Sequence, residues 1–400
     1  MGPTLAWAVF LAVSWTWCIG MYLPMLLMRD GGLPYFFAFL IPNVIGAASV
    51  GFVLHSRKKS VRFVTAMRTP MLLFTSATAA FQAFFLAWQG VSLGISYFLH
   101  APAGMVVGIT LVLIAIAIRR RVDWIPALLT LACSLALGVA LISSPPIVGA
   151  SEPMLALIGL SMVTALGFGL CPYLDLSFNR AVQHAPNPRA AFGIGFFVIF
   201  TAIILVATRG RAVWTPAVAP FTLSLNWVFG LTGLHFGAQA TFTIAAHTAA
   251  LRATRIDGSI EPISKGPRAE VAQHPSLIKW ILLPVFIGLL IGGAVPFIPM
   301  VDLPGFTSSI LAGEFAYRLF LGFYGLIFPV WLIVALRRPG AMDRVTLVWF
   351  AAVCALAGPF LWVGSIGRDE VWLIPGVSIV LLAGGFRYFT RKPETISVAD

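Results

Sequence analysis

Long apolar runs, each closed by a short cluster of charged or turn-forming residues, follow one another along the whole chain. They are roughly 18 to 28 residues long, the length an α-helix needs to cross about 30 Å of hydrocarbon. The pattern predicts spans at 3–28, 33–54, 69–92, 95–118, 124–143, 154–178, 190–208, 230–251, 278–298, 308–336, 344–365 and 371–388. Residues 212–229 are also apolar, but Pro216 and Pro220 interrupt them, and they read as a hairpin on the outside. The ten-residue alternation of a transmembrane β-barrel does not occur. The fold expected is an all-α integral membrane protein of about twelve transmembrane helices. The longest polar stretches, 252–277 and 389–400, are too short for a soluble domain.

Composition supports this reading. The chain is 59% hydrophobic and 10% charged, with mean hydropathy +0.95, against roughly 25% charged residues in soluble domains. The net charge of +12 comes from side chains placed between the apolar runs rather than on one face. With both termini inside, 21 of the 26 Lys and Arg fall in inside loops. Arg29, Arg209, Arg211 and Arg368 fall outside, and Arg318 lies within a span. This asymmetry is the positive-inside rule. It speaks against nucleic acid as a partner and for cytoplasmic termini in what reads as a bacterial inner (plasma) membrane. The partners expected are the lipid bilayer and a small-molecule substrate, with no oligomeric state indicated. The first span is longer than a signal-peptide core and no small-residue cleavage site follows it, so a cleaved signal is not expected. Cys18, Cys133, Cys171 and Cys354 all lie inside apolar runs, against a disulfide framework or zinc ribbon. No nucleotide-binding motif is present, which excludes ATP-driven pumping by this chain alone. The outside loops hold few acids and no His, so an intramembrane enzyme is not expected.

Two spans carry interruptions that resemble each other. Span 1 reads Ser14-Trp-Thr-Trp17-Cys18-Ile-Gly20-Met-Tyr22-Leu-Pro24, and span 6 reads Gly167-Phe-Gly169-Leu-Cys171-Pro172-Tyr173-Leu-Asp175. Each sets Gly and Cys before a proline and reaches an Arg within eight residues. Such breaks are tolerated in lipid only where the freed backbone groups face a cavity or neighbouring helices. Paired interruptions in corresponding spans of two halves point to a transporter site. Each break opens a five-span block, so the second block would be inverted. The expected organisation is 1–150 and 151–340 as two five-helix repeats, then 341–400 with two accessory helices and a tail.

On these residues the chain resembles the LeuT-type fold of the amino acid–polyamine–organocation superfamily. The segment Leu23-Pro-Met-Leu-Leu-Met-Arg-Asp-Gly-Gly32 looks like the first core helix of its sodium:solute symporters. The resemblance covers about 340 residues in architecture and some 40 in motif. It implies that spans 1 and 6 are unwound around the substrate and that residues 212–229 form the hairpin between spans 7 and 8. It also implies a sodium ion between span 1 carbonyls and span 8 hydroxyls. Here Thr241 and Thr243 supply those hydroxyls, two apart where the family has adjacent ones. The Asp-Pro-Gly-Asn of the metal-ion branch is missing from span 1, so metal transport is not expected.

Polar groups inside spans complete the candidate set. Asp175 and Glu314 are acids at membrane depth, each costing about 2.5–3.5 kcal/mol on insertion scales. Asp175 suits proton or cation coupling, or else caps the second half-helix or pairs with nearby Arg180 at the inner surface. Glu314 and Arg318 are spaced to meet on one helical face, as a mutually neutralising pair or a gate pair. His235, Gln239, Thr243 and His247 recur every four residues and form a polar stripe. His235, Thr241 and Thr243 join Asp175 as coupling candidates, while His247 reads as structural. Trp17, Cys18, Gly20, Tyr22, Pro24, Gly169, Cys171, Pro172, Tyr173 and Gln239 are the candidate substrate contacts. No cofactor or metal site is expected, sodium apart. The function expected is secondary active transport of a small solute, coupled to sodium or protons. A transporter-like sensor or regulatory subunit and a major-facilitator-type transporter are the alternatives.

Overall fold

A computed structural model describes residues 2–16, 18–97, 109–111, 113–114, 116, 124–141, 153–209, 226–255, 258–260, 276–298, 300–302, 309–337 and 344–384. Trp17, residues 212–225 of the expected hairpin and the tail 389–400 lie outside them. Among the described residues the protein is α-helical apart from a two-residue antiparallel pair, β1 (Val301–Asp302) with β2 (Ser309–Ile310), and a single bridge between Thr254 and Ile260. Among the described residues, seven helices are long and apolar enough to cross a bilayer.

Span 1 is two helices. The first, α1 (Gly2–Val13), stops at an irregular stretch, and the second begins α2 (Tyr22–Val53). That helix bends at Gly31 and Gly32, where Gly32 takes φ +67, so the expected first and second spans run into one another. A surface helix, α3 (Arg57–Ala66), follows, started by Ser56, whose side chain accepts from the backbone N–H of Lys59. Then come α4 (Arg68–Tyr97) and α5 (Trp124–Leu141); the described positions of 109–116, in the expected span 4, are helical.

Span 6 is broken as well. Helix α6 (Met154–Leu170) gives way to a 3-10 turn over Cys171–Leu174, and α7 (Leu176–His184) starts after Asp175. Next are α8 (Pro188–Phe192, π-helical Gly193–Phe200 and Thr201–Arg209), α9 (Asn226–Ala253) and α10 (π-helical Ile278–Leu282 with Leu283–Ala294). The chain closes with α11 (Ala312–Gly322, π-helical Phe323–Ile327 and Phe328–Arg337), α12 (Arg344–Ser365) and α13 (Leu373–Leu382). Helix α9 stands at the centre, with nearly every described position of its length buried. A helix buried all round need not be amphipathic, which lets it carry polar groups on several faces at once.

Lipid tails are as apolar as leucine, so helices in a bilayer associate through close backbone approach. Small residues provide that here. Gly288 and Gly292 of α10, one turn apart, face the carbonyls of Ala80 and Phe84 in α4, and an added Cβ would land on them. Gly46 of α2 lies likewise on Phe168 of α6, and Gly195 of α8 lies on Ala8 of α1. By contrast, an added Cβ at Gly293 meets nothing within 4 Å. Overpacking of this kind costs about 1–3 kcal/mol. Gly288→Val or Gly292→Val should therefore lower the melting temperature in detergent, while Gly293→Val leaves it nearly unchanged. Equal melting temperatures for all three variants would contradict the contact.

Candidate functional site

The break in span 1, residues 14–21, falls several residues before Pro24, which sits in the first turn of α2. What the break needs is partners for the backbone groups it frees. The Ser14 hydroxyl donates to Leu11 O at 2.6 Å, and Gly20 N donates to Trp15 O at 2.9 Å. A side chain at Gly20 would press against Trp15 O and Thr16 O, 2.7 and 2.8 Å from its Cβ, so the turn requires glycine. The carbonyl of Cys18 accepts from the Tyr317 hydroxyl of α11, and the Cys18 thiol lies 3.2 Å from Gln82 Oε1 of α4.

Gln239 of α9 is committed on both sides of its amide. Its Nε2 donates to Ser14 O at 3.2 Å and to Thr243 Oγ1 at 2.9 Å, while Oε1 accepts from Thr16 Oγ1. The amide nitrogen thus sits between a carbonyl of the broken helix and a hydroxyl of α9, the two kinds of ligand a sodium ion would take here. Thr241 turns back on its own helix, donating to Gly237 O at 2.7 Å.

The span 6 break centres on Asp175, which is fully buried. Its Oδ1 accepts from Ser177 N (2.7 Å), Ser177 Oγ (2.6 Å) and Phe178 N (3.3 Å), capping the orphan donors of α7. Its Oδ2 accepts from Trp15 Nε1 at 3.3 Å and lies 3.8 Å from His247 Nε2. The Trp15 ring stacks on Phe178 and Phe74 at 5.6 and 6.5 Å between centroids. Both broken helices and α9 therefore meet at one buried acid–imidazole pair.

The polar stripe on α9 is divided among three neighbours. His235 bonds Ser134 of α5 at 3.0 Å, away from the breaks. Gln239 and Thr243 serve the first break, and His247, which reads as structural from the sequence, faces Asp175. Of the other candidates, Tyr22 lies against Phe85, Trp88 and Tyr317, forming an aromatic cluster above the first break. Cys171 is buried against Tyr324, its Sγ 3.5 Å from that carbonyl. Pro172 is buried within the 3-10 turn, and an added Cβ at Gly169 would meet open space. Tyr173 points away from the break and bonds Ser49 of α2 at 2.9 Å. Among the described residues no group of three metal-ligating side chains forms, and all four cysteines are free.

Glu314 and Arg318 are joined at 3.0 Å, within a larger network. Arg29 holds both Glu314 oxygens at 2.8 and 3.0 Å and Asp30 at 2.8 Å. Arg318 reaches Asp30 at 2.6 Å and the carbonyl of Ser365 at 2.7 Å. Arg368 adds a 2.8 Å contact to Glu314 from a left-handed backbone, φ 59. That conformation costs a non-glycine residue on the order of 1–3 kcal/mol. The network bolts the first half of α2 to α11 and to the α12–α13 loop. Sequence spacing reveals only the i, i+4 pair; Arg29 is 285 residues from Glu314.

The opposite end, beside α3, is closed differently. The Arg180 guanidinium of α7 lies 5.4 and 5.5 Å from the ring centroids of Trp7 and Phe10 of α1, a cation–π clasp. Gln183 Nε2 donates to Ser60 Oγ of α3 (3.1 Å) and to Gly258 O (3.2 Å), and Gln183 Oε1 accepts from Ile260 N (2.8 Å). His184 Nε2 lies 2.7 Å from Ile260 O. Gly258 and Ile260 are thereby latched over α3 and α7.

Two outcomes follow from these contacts. Glu314→Gln removes the buried anion that three guanidinium groups share, leaving Asp30 to serve both Arg29 and Arg318, and should cost about 3–5 kcal/mol of stability. Arg368→Ala, a partly exposed partner, should cost under about 1 kcal/mol. Similar losses for the two variants, measured by thermal unfolding, would contradict the placement of Glu314 at the hub. Burial pushes the His184 imidazole below its ordinary value, with the cations Arg180 and Arg57 adding to that shift against the bond to Ile260 O. A histidine with a lowered folded pKa gives stability that is complete above its unfolded value of about 6.5 and declines as pH falls below it. Hydrogen-exchange protection of the Ile260 amide, which donates to Gln183 beside His184, should fall between about pH 7 and 5.5 in the wild type. It should stay flat in His184→Gln, and a wild-type latch indifferent to pH would remove His184 from it.

Neither a scan against protein-family models nor a search of curated proteins found a match to this chain.

Proposed function

We propose that this protein is a secondary active transporter of a small solute, working by alternating access at its two broken helices. One observation carries the reading: both breaks fall within otherwise long apolar spans, and they touch through Trp15 and Asp175. Discontinuous helices that meet at mid-membrane are the usual site of substrate and ion coupling in secondary transporters. The matching breaks support a LeuT-type inverted repeat, 1–150 against 151–340, with 341–400 accessory. With the termini cytoplasmic, as the loop charges indicate, the Arg29–Glu314 network is the outer gate and the Trp7–Arg180 clasp the inner one. Each must open in turn, so the conformation described, with both made, is an occluded one.

The coupling ion we favour is the proton. Gln239 already spends its amide between Ser14 O and Thr243 Oγ1, while Asp175 and His247 form a buried pair shared by both broken helices and α9. An ion bound only by the folded protein raises its stability by mass action. Sodium in place of choline at fixed ionic strength should therefore leave the melting temperature unchanged. In proteoliposomes loaded with a pH-sensitive dye, a panel of neutral and zwitterionic solutes should include one whose addition moves protons. That movement should be lost in Asp175→Asn and in His247→Gln. A saturable sodium-specific stabilisation abolished by Thr243→Val would return the case to sodium. Tight solute binding with no flux would favour a sensor.

A further inference from the structure

Away from the Asp175–His247 pair, the described residues enclose a cavity of about 490 Å³ between α6, α11, α12 and the start of α13. That volume lies within the range of ligand sites, about 300–1,000 Å³. Leu160 and Val163 of α6, Leu326 of α11 and Leu361 of α12 supply apolar walls, and Leu23 and Leu27 of α2 close one side. Arg318, Ser365 and Glu370 lie together at one end, and Thr164 and Tyr324 also line the cavity, their hydroxyls bonded to Ala38 O and to Thr78. On the other flank the lining includes Gly322, Pro359 and Trp362, all exposed on the faces of α11 and α12. The cavity is therefore continuous with the apolar outer surface of the helices, which is the surface that meets lipid.

We propose that this cavity is a lipid site that takes one acyl chain of a membrane phospholipid. Three features select that occupant. Apolar cavities do not hold water well, because water needs two to four polar partners. The medium adjoining the opening is hydrocarbon, which is chemically matched to the walls. Arg318 at the polar end is already bound to Asp30, Glu314 and the Ser365 carbonyl, which leaves it little capacity for an anionic solute. The inference does not depend on transport.

The glycines of the lining make it testable. An added Cβ at Gly322 or Gly358 meets nothing within 4 Å, so leucine there fills space without striking backbone. The full-length protein is placed in phosphatidylcholine vesicles containing a phosphatidylcholine with a diazirine in one acyl chain, then photolysed and mapped by peptide mass spectrometry. Adducts are expected on the buried Leu160 and Leu361 as well as on the lipid-facing Phe286 and Leu290. In Gly322→Leu and Gly358→Leu the adducts at Leu160 and Leu361 should drop by about tenfold. Those at Phe286 and Leu290, which report a folded protein in the bilayer, should persist. Wild-type labelling confined to Phe286 and Leu290 would overturn the proposal even if neither variant folds. So would labelling of Leu160 and Leu361 by a water-soluble diazirine in place of the lipid probe, since that outcome means a cavity open to water and solute.

Discussion

A helix broken in the middle of a bilayer exposes backbone donors and acceptors where no water is available, and each unmet group costs several kcal/mol. The architecture follows from meeting that requirement twice. At the first break Ser14 O is taken by Gln239 and Cys18 O by Tyr317, so α9 and α11 must stand beside it. At the second, Asp175 caps α7 with one oxygen and takes the Trp15 indole with the other. The two breaks are thereby joined through Trp15 and Asp175, and α9 serves both.

The same economy explains why the centre is polar while the periphery is not. Helix α9 carries His235, Gln239, Thr243 and His247 one turn apart, and all four are buried. Three different neighbours absorb the four side chains. Elsewhere, association depends on shape: glycines on α2, α8 and α10 admit the carbonyls of the helices they touch. Close approach of this kind is what holds helices together when lipid is as apolar as the side chains.

The two ends of the bundle are held by different physics. At one end a cluster of ionised groups joins three elements, each acid shared by more than one guanidinium, which limits the cost of burying any one charge. At the other, a single guanidinium lies over aromatic rings and a backbone latch closes over α3 and α7. Opening the first would break several charge-assisted bonds at once. The contacts described at the second are a stacked cation and hydrogen bonds from Gln183 and His184.

The all-α membrane class was legible in the chain itself, because the length and apolarity of a span are properties of contiguous residues. So was the presence of two interruptions, since Gly20, Pro172 and Asp175 sit where a continuous helix would not keep them. Their extent was not legible. The first break lies at 14–21 rather than at Pro24, because proline fits the opening turn of a helix, where no intrahelical donor is missing. Spacing along one helix also showed Glu314 and Arg318 as partners. It could not show Arg29, Asp30 or Arg368, nor that His247 would face Asp175 while His235 turned to Ser134. Those pairings join residues separated by tens to hundreds of positions, and only packing decides which face of a buried helix meets which neighbour.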